Sequence, residues 1–303
     1  MDQPNKGLKW LYRNFIITTF ISFGLFLMSA IAFYYGYCKT QRPTLVVLLF
    51  HDIVKKPYKP WDTTMEKLDY YIEALKRNKY EPVDPENFEN LLNNGFEGRK
   101  YLLTFDDGTM FDYHSVKHVY EKYGVKSTVF LVEDYFKLND CLNQELVREL
   151  HQNCGTYFGM HGKFHVKYSD RVASGSIIGE ELEEARKNLS EICGFPVKWL
   201  SYPFGDFNED IIKSIKDKCA INLAFTIEGG YIRKDYDRMK LNRFMYMGGT
   251  SENLEDPIFE SILPPEDYRN GSLIITISVL ILMFGLSRLL MAWNYYKAIA
   301  ILR

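Results

Sequence analysis

The sequence lacks a charge excess of either sign. Lys and Arg number 37 against 39 Asp and Glu, a formal net charge of −2. With no basic footprint, nucleic acid is not an expected partner. Cysteine is scarce, five in 303 residues, and no CxxC pair points to a cysteine-built metal site. No repeat, low-complexity tract or internal linker interrupts the middle of the chain, about 43–270, so it reads as one domain. No A-x-A pattern follows the first apolar block, which argues against a cleaved signal peptide.

What is present is 47% hydrophobic residues, with two apolar blocks near the ends and a polar middle. The blocks at 15–37 and 273–293 are each long enough to cross a bilayer and are expected to be transmembrane helices. Arg288 lies near one end of the second block, within snorkelling reach of the headgroups, and Trp293, Tyr295 and Tyr296 resemble an interfacial belt. Lys297 and Arg303 favour a cytoplasmic C-terminal tail, 294–303, after an acidic approach carrying Glu255, Asp256, Glu260, Glu266 and Asp267. The N-terminal side is ambiguous, because Lys6, Lys9 and Arg13 are matched by Lys39, Arg42, Lys55 and Lys56. Two spans put both tails, 1–14 and 294–303, on one side. The expectation is a cell-membrane protein whose 43–270 domain faces outward.

Within the middle, buried runs alternate with amphipathic stretches. Strands are predicted at 45–50, 101–105, 127–132, 156–160, 197–202, 221–227 and 239–246, and helices at 65–78, 143–155, 179–194 and 208–219, with 116–124 as the end of another that closes on Gly124. Strands apolar on both faces, alternating with helices, predict a parallel α/β domain, barrel or open sheet. In either case functional residues belong at the C-terminal ends of strands. There stand His51, then Asp106-Asp107-Gly108, then His161 with His165 four residues on, then Pro203-Phe204-Gly205-Asp206, and Arg243 on the last strand. One carboxylate and two imidazoles leave positions open for water and substrate, as a catalytic zinc site requires. Adjacent carboxylates diverge along a strand, so one Asp is expected at the metal and the other is free to act as base. His114 and His118 share the His161/His165 spacing in a predicted helix without a strand-end context, and His151 is read as surface or packing.

These motifs resemble the polysaccharide deacetylase family (NodB homology domain, carbohydrate esterase family 4). The resemblance covers nearly all of 45–247. TFDDG (104–108), EKYGVKSTVFLV (121–132), HGKFH (161–165), SYPFGDFNE (201–209) and LFH (49–51) carry it. LFH stands first here, whereas most members have it last. That order is similar to the circularly permuted subgroup that includes poly-β-1,6-N-acetylglucosamine deacetylases. The resemblance implies a distorted (β/α) barrel, here flanked by the two spans, and a metal-dependent N-deacetylase that releases acetate from an N-acetylglucosamine-containing polysaccharide. It implies Asp106 as general base, Asp107, His161 and His165 as ligands of a divalent metal, zinc by preference, and His51 as general acid. Leu49, Pro203 and Tyr202 or Phe204 would shape the acetyl pocket, and the Phe204 N–H would help hold the oxyanion.

Two departures stand out. Gly162 replaces the Ser or Thr frequent after the first His. Ser201 replaces an Arg that orients the catalytic Asp in many members. Ser201 is not expected to do this, and Arg243 is the candidate to supply the charge from a late strand. Cys141, Cys154, Cys193 and Cys219 allow three complete pairings, or remain free. Alternative readings are a metal hydrolase of another acylated glycan or peptidoglycan, or a non-catalytic membrane partner of a polysaccharide synthase or exporter. A synthase or export complex is also a candidate partner of the enzyme reading.

Overall fold

The computed structural model describes residues 43–232 and 236–246, together with parts of the flanking segments within 13–31 and 279–293. By its contacts the chain divides into a unit of 43–263 and a second unit formed by 1–42 with 264–303. In the second unit the described residues are helical, and Phe20, Met28, Met283, Leu290 and Met291 expose apolar side chains. Among the described residues no helix is long and apolar enough to cross a membrane. The spans expected at 15–37 and 273–293 lie in part outside the described residues, as do both tails.

The 43–263 unit is built on a parallel sheet. Its strands are β1 (Thr44–Phe50), β2 (Tyr80–Pro82), β3 (Arg99–Asp107), β4 (Ser127–Leu131), β5 (Tyr157–Met160), β6 (Trp199–Ser201), β7 (Leu223–Phe225) and β8 (Phe244–Met245). The order is β7-β6-β5-β4-β3-β1-β8, with β2 paired to the start of β3, and every ladder is parallel. Helices α1 (Met65–Arg77), α2 (Phe88–Asn94), α3 (Met110–Tyr123), α4 (Gln144–Cys154), α5 (Tyr168–Ala173), α6 (Ile178–Cys193) and α7 (Glu209–Lys218) fill the connections. The result is a parallel-strand half-barrel.

Side chains alternate across each strand, and both faces are covered, which is why the strands read as unbroken apolar runs. Leu45, Val47, Leu102, Phe130, Trp199 and Phe225 fill the concave side. Val46, Leu48, Leu103, Phe105, Val129 and Leu200 meet the helices on the other. Gly159 on β5 leaves room for the inner layer, since a Cβ there would lie 2.5 Å from the Phe130 ring. The predicted strand 239–246 shrinks to two residues because this segment serves two edges. Leu241 bridges Phe225 of β7, and Phe244 and Met245 then pair with Leu48 and Leu49 of β1.

The helix predicted to end at Gly124 does so, and it starts at Met110. Thr109 and Asp112 form a capping box that starts it directly after the Asp-Asp-Gly turn. The four cysteines of the domain are free and buried. His151 packs, as read, with Nδ1 2.9 Å from Thr156 O and its ring 4.6 Å from Phe195.

Candidate active site

Parallel pairing puts the C-terminal ends of the strands on one rim, and the polar residues singled out in the sequence follow those ends. Asp106 is the last inward-facing residue of β3 and is buried. Arg243, fully buried, comes one residue before β8 and meets it with a two-pronged ion pair. Nη1 donates to Oδ1 at 2.7 Å and Nη2 to Oδ2 at 2.8 Å. Arg243 also donates from Nε to Thr226 O at 2.9 Å and lies over the Phe130 ring at 5.4 Å.

Ser201 corrects the expectation placed on it. Its hydroxyl donates to Asp106 Oδ2 at 2.9 Å and accepts from Arg243 Nη2 at 2.7 Å. Its carbonyl faces His161 Nδ1 at 2.9 Å. One residue therefore touches the carboxylate and fixes the imidazole. A proton on Nδ1, donated to that carbonyl, leaves Nε2 with its lone pair toward the two aspartates.

Asp107 ends β3 with φ 90°, a left-handed conformation that costs a non-glycine residue about 1–3 kcal/mol. The turn changes the divergence expected of adjacent strand residues. His161 Nε2 lies 3.6 Å from Asp107 Oδ1 and 3.9 Å from Asp106 Oδ2, and His165 Nε2 lies 3.4 Å from Asp107 Oδ1. Ligand atoms of Asp107, His161 and His165 all lie within 4.8 Å of one another, the one such trio found among the described residues. Asp107 Oδ1 is buried without a hydrogen-bond partner there. A carboxylate oxygen left bare between two imidazoles fits a divalent cation. His118, of the pair with the same spacing, instead faces Asp69 at 2.8 Å.

Gly162 holds φ 92°, and a Cβ there would sit 2.9 Å from Phe164 O and 3.1 Å from Tyr168 Oη, so a Ser or Thr does not fit. His51 is half-buried at the end of β1, and its Nδ1 is enclosed without a partner among the described residues. Phe204 is 52% exposed in the Pro203–Gly205 turn, with φ 58° and its ring 4.5 Å from His165. Leu49, Pro203 and Tyr202 are buried. Tyr202 points into the core against the helices and donates to Met239 O at 3.0 Å, so of the two aromatic candidates only Phe204 offers surface to a ligand.

The electrostatics divide the two carboxyls. Burial pushes Asp106 up, but the Arg243 guanidinium, by its charge and its hydrogen bonds, overcomes this and holds it well below the usual range. Asp107 is pushed up to about 6 by burial, opposed by His51 and reinforced by Asp106. Burial lowers His161 to about 3 against the pull of Asp106, and lowers His165. Both imidazoles are thus neutral at pH 7, the form that binds metal.

The raised Asp107 value has a stability consequence. A folded value of about 6 against the usual 3.8 means that the metal-free fold loses stability as pH rises through 6, by about 3 kcal/mol once ionised. Asp107→Asn should therefore raise the melting temperature of the metal-stripped protein at pH 7.5, and the gap to wild type should fall to about half by pH 5 and close below about pH 4. Thermal scans after chelation check this, and an unchanged or lowered melting temperature at pH 7.5 contradicts it.

A parallel α/β half-barrel with a carboxylate–imidazole trio beside a clamped Asp defines a hydrolase-type site. Residues 93–219 match the polysaccharide deacetylase family model. Over that stretch the chain is similar to polysaccharide deacetylase domains of the NodB homology, carbohydrate esterase family 4 type. It is similar to YxkH of Bacillus subtilis, 24% identical over 235 residues that cover 75% of this chain and 80% of that protein. It is also similar to the poly-beta-1,6-N-acetyl-D-glucosamine N-deacetylase of Staphylococcus epidermidis, 23% identical over 213 residues, 66% of this chain and 73% of that one. Among solved structures, the Streptococcus pyogenes deacetylase PplD in complex with acetate superposes with TM-score 0.63 at 19% identity, over 73% of this chain and 99% of that one.

Proposed function

We propose that this protein is a metal-dependent N-deacetylase of an N-acetylglucosamine-containing polysaccharide, held at the cell membrane by 15–37 and 273–293 with its domain facing outward. The observation that carries the reading is the trio of Asp107, His161 and His165 beside an Asp106 that Arg243 keeps ionised. The donor set, two imidazoles and one carboxylate, suits zinc. A divalent ion held there would supply Lewis acidity toward the acyl oxygen.

The chain's own groups supply the rest. Asp106, with both oxygens fixed by Arg243 and Ser201, accepts the proton of the attacking water. His51, across the rim, returns a proton to the leaving amine, without which the amine departs poorly. The Phe204 ring lies 4.5 Å from His165, and in this reading the Phe204 N–H, in its left-handed turn, helps hold the developing oxyanion. The similarity to the Staphylococcus epidermidis enzyme supports a β-1,6-linked N-acetylglucosamine polymer as substrate. The apolar exposed residues of the flanking helices support the bilayer as partner, with a synthase or export subunit as a further one.

Acetate release from β-1,6-linked N-acetylglucosamine oligomers tests the reading. We expect release that a chelator abolishes and added zinc restores. Chelator-insensitive release, or none from zinc-loaded protein, overturns it.

A further inference from the structure

The metal ligand Asp107 sits in a backbone conformation that its own side chain does not stabilise. Asp107 has φ 90° and Gly108 has φ 78°, two left-handed residues in succession at the end of β3. The peptide between them sets where the Asp107 carboxylate points. Something must hold that peptide, since a non-glycine residue leaves this region readily when released.

Asp112, on the first turn of α3, does so. Its Oδ2 accepts from Gly108 N at 2.9 Å and from Thr109 N at 2.8 Å. The second bond is that of a capping box, in which the third helical residue reaches back to the cap N–H. The first is not. It goes one residue further back, to the N–H of the Asp107–Gly108 peptide itself. The other side of the turn is pinned by Leu142 N donating to Gly108 O at 2.9 Å and Met110 N donating to Asp140 O at 2.9 Å.

Asp112 is also fully buried, and its Oδ1 has no partner among the described residues. A helix cap alone needs neither feature. Capping carboxylates serve equally well at the surface, and burying one with a bare oxygen is unfavourable.

We propose that Asp112 is a positioning residue for the metal site, holding the Asp107–Gly108 peptide so that Asp107 Oδ1 meets His161 and His165. This rests on the metal-site reading above, and the experiment separates the two.

Zinc affinity is measured by chelator competition on the full-length protein in detergent, and the cobalt(II) absorption spectrum reports ligand geometry. Asp112→Ala should weaken zinc binding at least about tenfold and change the cobalt spectrum. Asp112→Asn keeps an acceptor for both N–H groups and should stay within about threefold of wild type. Asn208→Ala serves as the control. Asn208 caps α7 by accepting from Ile211 N at 2.9 Å, and its loss should lower the melting temperature without moving affinity or spectrum.

If Asp112→Ala does not fold, Asp112→Thr carries the test. Its hydroxyl arm, one atom shorter than the carboxylate's, withdraws from both Gly108 N and Thr109 N while keeping a polar group in the first helical turn. Wild-type affinity and spectrum in a folded Ala or Thr variant overturn the proposal alone. Absence of zinc and cobalt binding in wild type overturns the metal-site reading beneath it.

Discussion

Asp106→Asn should slow acetate release by about 10²–10⁴, the range that a positioned acid–base group contributes. The amide keeps the shape of the carboxylate but cannot take a proton. Zinc content should be unchanged, because Asp107, His161 and His165 form the trio without it. KM should move little, since Asp106 is assigned to the proton and not to holding the sugar. Metal analysis and initial rates on the same preparation check this. Turnover within tenfold of wild type would remove Asp106 as base, and loss of zinc would show that it serves the metal after all.

The second large effect falls on stability. Arg243→Met leaves the Asp106 carboxylate buried, with the Ser201 hydroxyl as its one remaining hydrogen-bond donor among the described residues and the His161 ring 3.9 Å away. Breaking one half of a buried ion pair typically costs about 3–5 kcal/mol. The methionine also gives up the Nε bond to Thr226 O and the cation over Phe130. Denaturant unfolding at pH 7 should show the full loss.

Acid should narrow the gap. In wild type the depressed Asp106 value contributes stability above the usual 3.8, and that contribution is lost as pH falls through the folded value. The variant has no such contribution to lose. Arg243→Lys should recover part of the stability and less of the activity, since a point charge cannot grip both oxygens. An Arg243→Met protein as stable as wild type at pH 7 would mean that Asp106 is neutral in the fold.

Much of this site could be read before the fold was known, because buried parallel strands announce their own ends. His51, Asp106, Asp107, His161 and Arg243 each stand at or beside the edge of an apolar run. Alternation could have said more. Trp199 and Ser201 face inward, so Tyr202 had to face the helices, where it is.

Other features have no signature at that level. A two-residue strand such as β8 has too little pattern to bound, and its boundaries depend on partners far away in the chain. Asp112 looks like any polar residue of a helix's first turn, and only burial distinguishes it. The role of Ser201 was hidden because its partners are 95 and 42 residues away in sequence. The left-handed turn at Asp107 is likewise a tertiary product, imposed by groups on α3 and the 140–142 segment.

The segment that joins β7 to β1 has a consequence for how the protein is made. Arg243 and Asp106 are 137 residues apart, and β1, synthesised first, must wait for Phe244 and Met245 before its outer edge is paired. A nascent chain stopped short of this segment would expose that edge and hold Asp106 without its guanidinium. Asp106 thus gains its guanidinium partner only when the ribosome has released the end of the domain, and the same event seals the unpaired edge against other chains.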